Sequence, residues 1–385
     1  MRGLLLTGGG ARGAYQAGVL AGVARILGDR AAPYPFPILT GISSGAINAV
    51  GLASGAPDFP AAARRVAALW RDLTLEQVFR TDAVSLGRIG LGWLTSLVFG
   101  GVVGHQGAGA LLDPSPLRRL LERVLDFGAA RRALETGSLF GLAVLATHYG
   151  SGASVAFVDS PRSGVTWSRA RRLGVRSRLS VDHVMASTAI PLVFPPVHVD
   201  GGWYGDGAVH VTSPFSPAIH LGAERILAVG VRKGRPAQAY VDALAAPAAR
   251  PTAAGIAAGV LNAVFMDSID GDLERLNRIN ATLSLLPPEA RGRLPLRPIQ
   301  ALMISPSEDL GAMAEPHLTR FPGKIRYLLR GLGAGDHGSP ELPSYILFDR
   351  AYTRELIDLG ERDAARRRDE IEAFVRDDRE MSIGT

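Results

Sequence analysis

Two glycine-rich turns, each set between a short apolar run and a helical pattern, constrain this chain more than any other feature. The first is Gly8-Gly9-Gly10-Ala11-Arg12-Gly13, which follows Gly3–Thr7 and precedes Ala14–Leu27. The second is Gly41-Ile42-Ser43-Ser44-Gly45, which closes Ile38–Ile42 and precedes Ala46–Ala53. Short apolar runs that stop at a glycine turn read as buried strands. Ala14–Leu27 repeats apolar residues at helical spacing, at Tyr15, Val19, Val23 and Ile26-Leu27. Strand, turn and helix, twice over, predict an α/β fold with a mostly parallel central sheet.

The remaining pattern extends this reading. Leu139–Thr147, Ser154–Val158 and Arg225–Val231 are further strand candidates. Helices are expected at Asp58–Leu73, over residues 113–127 with Leu117, Leu120, Leu121, Val124 and Leu125 on one face, and at Asp182–Ala189. A Pro/Ala-rich stretch over residues 233–252 is the best linker candidate. It divides the chain into a catalytic domain, 1–232, and a mainly helical C-terminal extension, 253–385, packed on that core. Within the extension, helices are expected over 253–286, 323–332 and 345–375, with a short strand at Ala301–Ile304.

Composition excludes several classes of chemistry. The 385 residues include no cysteine, so disulfides, thiolate zinc sites and cysteine nucleophiles are ruled out. A chain of this kind suits a reducing cytoplasm. The run Leu4-Leu5-Leu6 is too short for a secretion signal, and no segment reaches transmembrane length. The net charge of +6 favours anionic surfaces. Arg169, Arg171, Arg172, Arg176 and Arg178 are placed to meet lipid head groups or simply to face solvent. They lack interleaved stacking aromatics, so nucleic acid is not an expected partner. Ile89–Gly104, with Trp93, Leu94, Leu97, Val98 and Phe99, reads as a lid, an interfacial patch or buried core.

The second turn carries the chemistry. G-x-S-x-G at a strand-to-helix turn is the pattern of a nucleophile elbow, with Ser43 projecting and Gly41 and Gly45 removing side chains that would collide. The helix that follows turns its N-terminal N–H groups toward a developing anion. A tight turn with a helix-capping serine is the alternative, and Ser44 is the alternative hydroxyl. The first turn supplies backbone N–H donors of the kind an oxyanion needs. It also fits the dinucleotide fingerprint, but no carboxylate ends the second strand to bind a ribose. A serine needs a base. His183, His198, His210 and His220 do not sit in the usual hydrolase order. Asp200-Gly201-Gly202 and Asp206-Gly207-Ala208 put a carboxylate in a turn, where burial raises its basicity.

Together these residues resemble the patatin-like phospholipase family. The resemblance rests on four ordered blocks: Gly8–Gly13, Gly41–Ala49, Ala186–Pro196 and Trp203–Val209. It spans about residues 1–232 and implies a three-layer α/β/α core with a Ser–Asp dyad in place of a triad. The elbow serine maps to Ser43 and the oxyanion loop to Gly8, Gly9, Gly10, Ala11 and Arg12. The aspartate maps to Asp206, with Asp200 a competing match. The implied activity is lipid acyl-ester hydrolysis through an acyl-enzyme on phospholipid or another acyl ester, with no metal or cofactor. Peripheral contact with the inner membrane face accompanies it. A catalytically silent, membrane-associated module on the same fold is the alternative function.

Overall fold

The computed structural model describes residues 1–28, 34–80, 112–191, 193–234, 269–323 and 341–376, with a few isolated positions between them. The expected Ile89–Gly104 segment and most of the 233–252 linker lie outside these residues.

At the centre is β1 (Arg2–Leu6), whose Leu4, Leu5 and Leu6 are all buried. A strand that is apolar without alternation is buried on both faces, as in parallel sheets covered by helices. β1 pairs in parallel with β2 (Ile38–Ile42) on one side and β9 (Arg225–Val229) on the other, and β10 (Gln300–Ile304) extends the sheet beyond β9. Beyond β2 lie β3 (Gly141–His148), parallel to it, then β4 (Ala153–Asp159), antiparallel. β6 (Arg172–Arg176) and β5 (Trp167–Arg169) complete that edge. Sequence patterning misses β5 and β6, because edge strands half open to solvent carry the alternating Arg172, Arg176 and Gly174 rather than an apolar run. The arginine cluster lies on and around these two strands, three and four places along the sheet from β2.

Helices cover both faces, giving three α/β/α layers. Against one face pack α1 (Gly13–Leu27), α2 (Ser44–Ala53) and α3 (Phe59–Asp72). Asp58 starts α3 by accepting a hydrogen bond from Ala61 N–H at 2.9 Å, with Pro60 in the first turn. Further along the chain come α4 (Leu75–Val78), α5 (Ser115–Val124), α6 (Phe127–Glu135) and α7 (Val181–Ser187). The opposite face is covered by α8 (Ser216–His220) and α9 (Ile269–Ser284), through Phe215, Ile269 and Leu276.

The C-terminal residues are part of the same body. α10 (Pro288–Gly292) precedes β10, and after that strand come α11 (Leu310–Ala314), α12 (Glu341–Ile346), α13 (Arg350–Arg366) and α14 (Arg368–Val375). One continuous helix over 345–375 is therefore not formed. Asp349 interrupts it by capping α13, its carboxylate accepting from Ala351 and Tyr352 N–H. A second break falls at Arg367, whose guanidinium bonds the Met303 carbonyl of β10 at 2.8 Å. α13 lies along α1, where Tyr15 donates to Asp363 at 3.1 Å across the buried seam.

A short ribbon decides where the site forms. β3 runs three residues past the end of β2, since Ile42 pairs with Leu145. The exposed lane beside Ala146, Thr147 and His148 is taken by β8 (Gly202–Asp206), antiparallel, with β7 (Val197–Val199) as its hairpin partner. β8 thus runs head-on toward the end of β2 and stops at Asp206. Glycines at 202 and 205 hide this strand from periodicity.

Candidate active site

Ser43 sits where β2 turns into α2, with backbone φ 54° and ψ −124°. A non-glycine residue in this region stores about 1–3 kcal/mol of strain unless its surroundings hold it there. They do. Ser43 N–H donates to the Ser187 hydroxyl at 2.8 Å, and that hydroxyl donates to the Leu145 carbonyl at 2.5 Å. Gly45 lies against the backbone of Leu6 and Thr7, where a Cβ would collide, and a Cβ on Gly41 would strike Gly45 and Ala46. The elbow therefore needs both glycines for close approach.

The Ser43 hydroxyl donates to Asp206 Oδ2 at 2.7 Å, across 163 residues of sequence. The other carboxylate oxygen, Oδ1, accepts from Ala208 N–H at 2.8 Å. Asp206 is fixed through its backbone as well: its N–H donates to the Ala189 carbonyl and its carbonyl accepts from the Thr147 hydroxyl. Only 1% of Asp206 is exposed. Burial pushes its carboxyl up from 3.8 to about 6, against the lowering effect of the Ala208 and Ser43 hydrogen bonds.

Asp200 stands at the far end of β8, in the left-handed region at φ 47°. It accepts from the Ser177 hydroxyl at 2.7 Å and bonds His183 at 3.1 Å, and these contacts hold its carboxyl below the ordinary value, Ser177 foremost. It makes no contact with Ser43. The histidines stay apart as well. His183 is engaged by Asp200 and Ser180, His198 meets the Trp203 ring, and His220 stacks on Trp167. His210 is exposed, and no histidine bonds Ser43 or Asp206 among the described residues.

The glycine loop lies directly over the serine. A Cβ on Gly8 would come 3.2 Å from that of Ser43. The N–H groups of Gly8 and Gly9 have no backbone partner among the described residues. Gly10 takes φ 54°, and a Cβ there would overlap the Tyr345 carbonyl. Ala11 and Arg12 complete a single 3₁₀ turn from Gly10 to Arg12. The Arg12 side chain joins the loop to α12. It is 1% exposed, donates twice to the Ser344 hydroxyl at 2.9 and 2.6 Å, and lies over the Tyr345 ring at 4.3 Å. The residue that closes the loop is thus bolted to α12.

Arg12→Ala removes charged hydrogen bonds and a ring contact from the interior. It is expected to lower the unfolding free energy by about 3 kcal/mol. Thermal or urea unfolding of the full chain checks this, and an unchanged midpoint would refute it.

A buried polar chain backs the loop, and motif spacing does not disclose it. Gln16 donates to the Thr7 and Val229 carbonyls, Asn48 donates to Gln16 and the Gly13 carbonyl, and Trp70 donates to Asn48 at 2.6 Å. The available signal is an amide on an otherwise apolar helix: Gln16 and Asn48 are each 0% exposed. A buried amide must be paired, so each marks a fixed junction.

Beside Ser43 opens a narrow apolar slot. Gly10, Ser43, Ser44 and Thr188 form one end. Ile47, Leu69, Trp70, Leu73, Leu121, Phe194 and Phe348 form much of the wall. α2, α3 and α5 contribute about half of this lining, and the turns around them supply the rest, Thr188, Ile190 and Phe194 after α7 among them.

No curated protein sequence matches the chain. Two solved structures are similar to it at a low level. VipD from Legionella pneumophila has 12% identity and a TM-score of 0.36, covering 93% of this chain and 66% of that one. Human GIVD cytosolic phospholipase A2, in complex with methyl gamma-linolenyl fluorophosphonate, has 14% identity and a TM-score of 0.43, covering 97% and 59%. The chain thus spans about three-fifths to two-thirds of their lengths. The family described as patatin-like phospholipase matches residues 4–219, more than half of the 385 residues. On that match the chain belongs to the patatin-like phospholipase family.

Proposed function

We propose that the protein is a serine acyl-ester hydrolase acting on lipids, with Ser43 as nucleophile and Asp206 as its base. The observation that carries this reading is the 2.7 Å hydrogen bond from the Ser43 hydroxyl to a buried carboxylate, beside an apolar slot. Asp206 takes the hydroxyl proton as Ser43 Oγ attacks the ester carbonyl. The carbonyl oxygen becomes an oxyanion held by N–H groups of the Gly8–Arg12 loop. The tetrahedral adduct collapses, the C–O bond to the leaving alcohol breaks, and Asp206 returns the proton to that oxygen. The acyl chain, lying in the slot, stays on Ser43. Water gives a proton to Asp206, attacks the acyl-enzyme, and the fatty acid leaves as Ser43 regains its proton.

Contact with a lipid surface belongs to the same proposal. Trp203 is 55% exposed and Tyr149 is 45% exposed, joined by the backbone bond from Tyr149 N–H to the Trp203 carbonyl. The Tyr149 ring covers Gly205, next to Asp206, and the Asp206 charge adds to burial in raising its phenol. Indole and phenol rings settle at the head-group level of a bilayer. No helix among the described residues is long and apolar enough to cross a membrane.

The direct test is labelling with a fluorophosphonate probe and mapping of the modified residue. Modification of Ser43 supports the reading, and labelling elsewhere, or none, defeats it.

The pH profile gives a second test. The base must be ionised, so kcat/KM should climb tenfold per unit below about 6 and level off above it. The stability contribution runs the other way. A folded carboxyl raised from 3.8 to about 6 favours the folded state below the lower value, and this benefit, about 3 kcal/mol, is lost as pH rises through the upper one. A profile centred near 4 would remove burial as the cause of basicity.

A further inference from the structure

One stretch of the chain carries positive charge that its surroundings do not neutralise. Ser160–Val181 holds Arg162, Arg169, Arg171, Arg172, Arg176 and Arg178, and no acidic residue. Arg172 is half-buried and the others are exposed. None of them forms an ion pair among the described residues. Arg162 lies over the Phe140 ring, and Arg169 and Arg176 donate to the Ser168 and Ser160 carbonyls. The acids nearby are engaged elsewhere: Asp159 with Arg131 at 2.6 Å, Asp182 with Arg118 at 2.7 Å and Asp200 with His183 at 3.1 Å. Buried Asp272 feels Arg172 through space but is paired with Arg275 at 3.2 Å. A neighbour registers the excess. Burial foremost, then the charges of Arg169, Arg172 and Arg297, hold the His220 imidazole below its ordinary value, against the pull of the Ser216 carbonyl.

Strand register places this charge at the catalytic end of the sheet. Asp206 pairs with Ala146, and Gly205 with the next residue, Thr147. Thr147 pairs with Ser154, Ser154 with Arg172, and Arg172 with Arg169. One row across the sheet thus runs from the neighbour of Asp206 to Arg169, four strand spacings or roughly 19 Å away. Arg171 tips the turn between β5 and β6. Its guanidinium lies over Gly152, where a Cβ would come 3.1 Å from it, in the turn that starts at Tyr149. Tyr149 N–H is bonded to the Trp203 carbonyl, so arginine and both exposed rings share one rim. Arg171 also sits at φ 56°, which glycine adopts freely and arginine does not. A long cation kept at the tip of an exposed turn against that strain points to a use for the cation.

On the hydrolase reading above, we infer that this rim docks the protein on bilayers containing anionic lipid, with Arg169 and Arg171 on the head groups and the Trp203 and Tyr149 rings at the same depth. An anionic surface supplies the counter-charge that the fold withholds, and the rings add the affinity of indole and phenol for the head-group level. Docked in this way, the end of the sheet that bears Ser43 and Asp206 faces the membrane, and the esters it meets are those of anionic bilayers.

The test is co-sedimentation of the full chain with vesicles of phosphatidylcholine alone, or of phosphatidylcholine and phosphatidylserine mixed about two to one. Each arginine at an anionic surface is worth about fivefold in partitioning, so wild type should prefer the mixed vesicles by about 25-fold or more. The double variant Arg169→Gln, Arg171→Gln should bind them about 25-fold more weakly, while its hydrolysis of a soluble nitrophenyl ester stays within about twofold of wild type. Removing the same charge at the other end of the sheet, with Arg278→Gln and Arg293→Gln near the start of β10, should change binding less than about twofold. Should the double variant not fold, Arg171→Gly relieves the strained turn and should weaken binding about fivefold with no loss of stability. Equal binding to both vesicles, equal losses in the two double variants, or binding to DNA with none to either vesicle overturns the inference, while ester hydrolysis still upholds the hydrolase. Failure to hydrolyse the ester, together with no fluorophosphonate labelling of Ser43, overturns both.

Discussion

Ser43→Ala and Ser43→Gly should each cost at least about 10⁴-fold in kcat/KM on a nitrophenyl ester, and the glycine variant should be the more stable of the two by about 1 kcal/mol. The loss of rate follows from chemistry: without Oγ there is no acyl-enzyme, and the loop amides alone supply only a residual rate. The stability order follows from backbone geometry. Both variants lose the bond to Asp206, so that cost cancels between them. Alanine keeps a Cβ at φ 54°, and glycine does not. Relief of strain exceeds the roughly 0.5–1 kcal/mol that glycine gives up through its freer unfolded chain. Elsewhere in a folded chain alanine is ordinarily the more stable choice, so the sign is diagnostic. Denaturant unfolding of both variants measures it. An alanine variant equal to or more stable than the glycine one would mean that the elbow stores no strain, and full hydrolysis by either would remove Ser43 from the reaction.

Asp206→Asn should reduce kcat/KM by about 10³-fold or more, whereas Asp200→Asn should change it less than about threefold. The two residues cap opposite ends of β8, and only one end meets Ser43. An amide in place of the Asp206 carboxylate keeps the acceptor for Ala208 N–H, and its NH₂ can donate to Ser43 Oγ, so the geometry survives while the base is gone. Near pH 8 the Asp206→Asn variant should also be more stable than wild type by up to about 3 kcal/mol, because it no longer ionises a group 1% exposed. Its stability should vary less between pH 4 and 7 than that of wild type. Inactivity in Asp200→Asn with activity retained in Asp206→Asn would move the base to the other carboxylate. Loss of stability at pH 8 on replacing Asp206 by the amide would contradict the raised carboxyl.

Both turns were legible because glycine spacing records close approach directly: Gly8, Gly41 and Gly45 each face a neighbour that leaves no room for a Cβ, or almost none. Ser43 is legible for the same reason. Choosing between Asp200 and Asp206 is different in kind, since two Asp-Gly pairs six residues apart look alike in sequence. Their difference arises from β3 outlasting β2, which opens a lane for β8, and strand lengths of that precision are not written in periodicity. The partners of Arg12 lie more than 330 residues away, and no local pattern joins residue 12 to residue 344. The break at Asp349 had a visible signal, an N-capping aspartate ahead of Ala351 and Tyr352, which the amphipathic pattern of the following helix overshadowed.

The bond between Arg12 and Ser344 also bears on when a newly made chain can secure its glycine turn. During synthesis the serine, the aspartate and the glycine turn all leave the ribosome well before residue 344 does. Until then the guanidinium has no hydroxyl to hold and Gly10 has no Tyr345 carbonyl against it. A polypeptide truncated before residue 344 therefore carries Ser43, Asp206 and the glycine turn without the contacts that secure that turn.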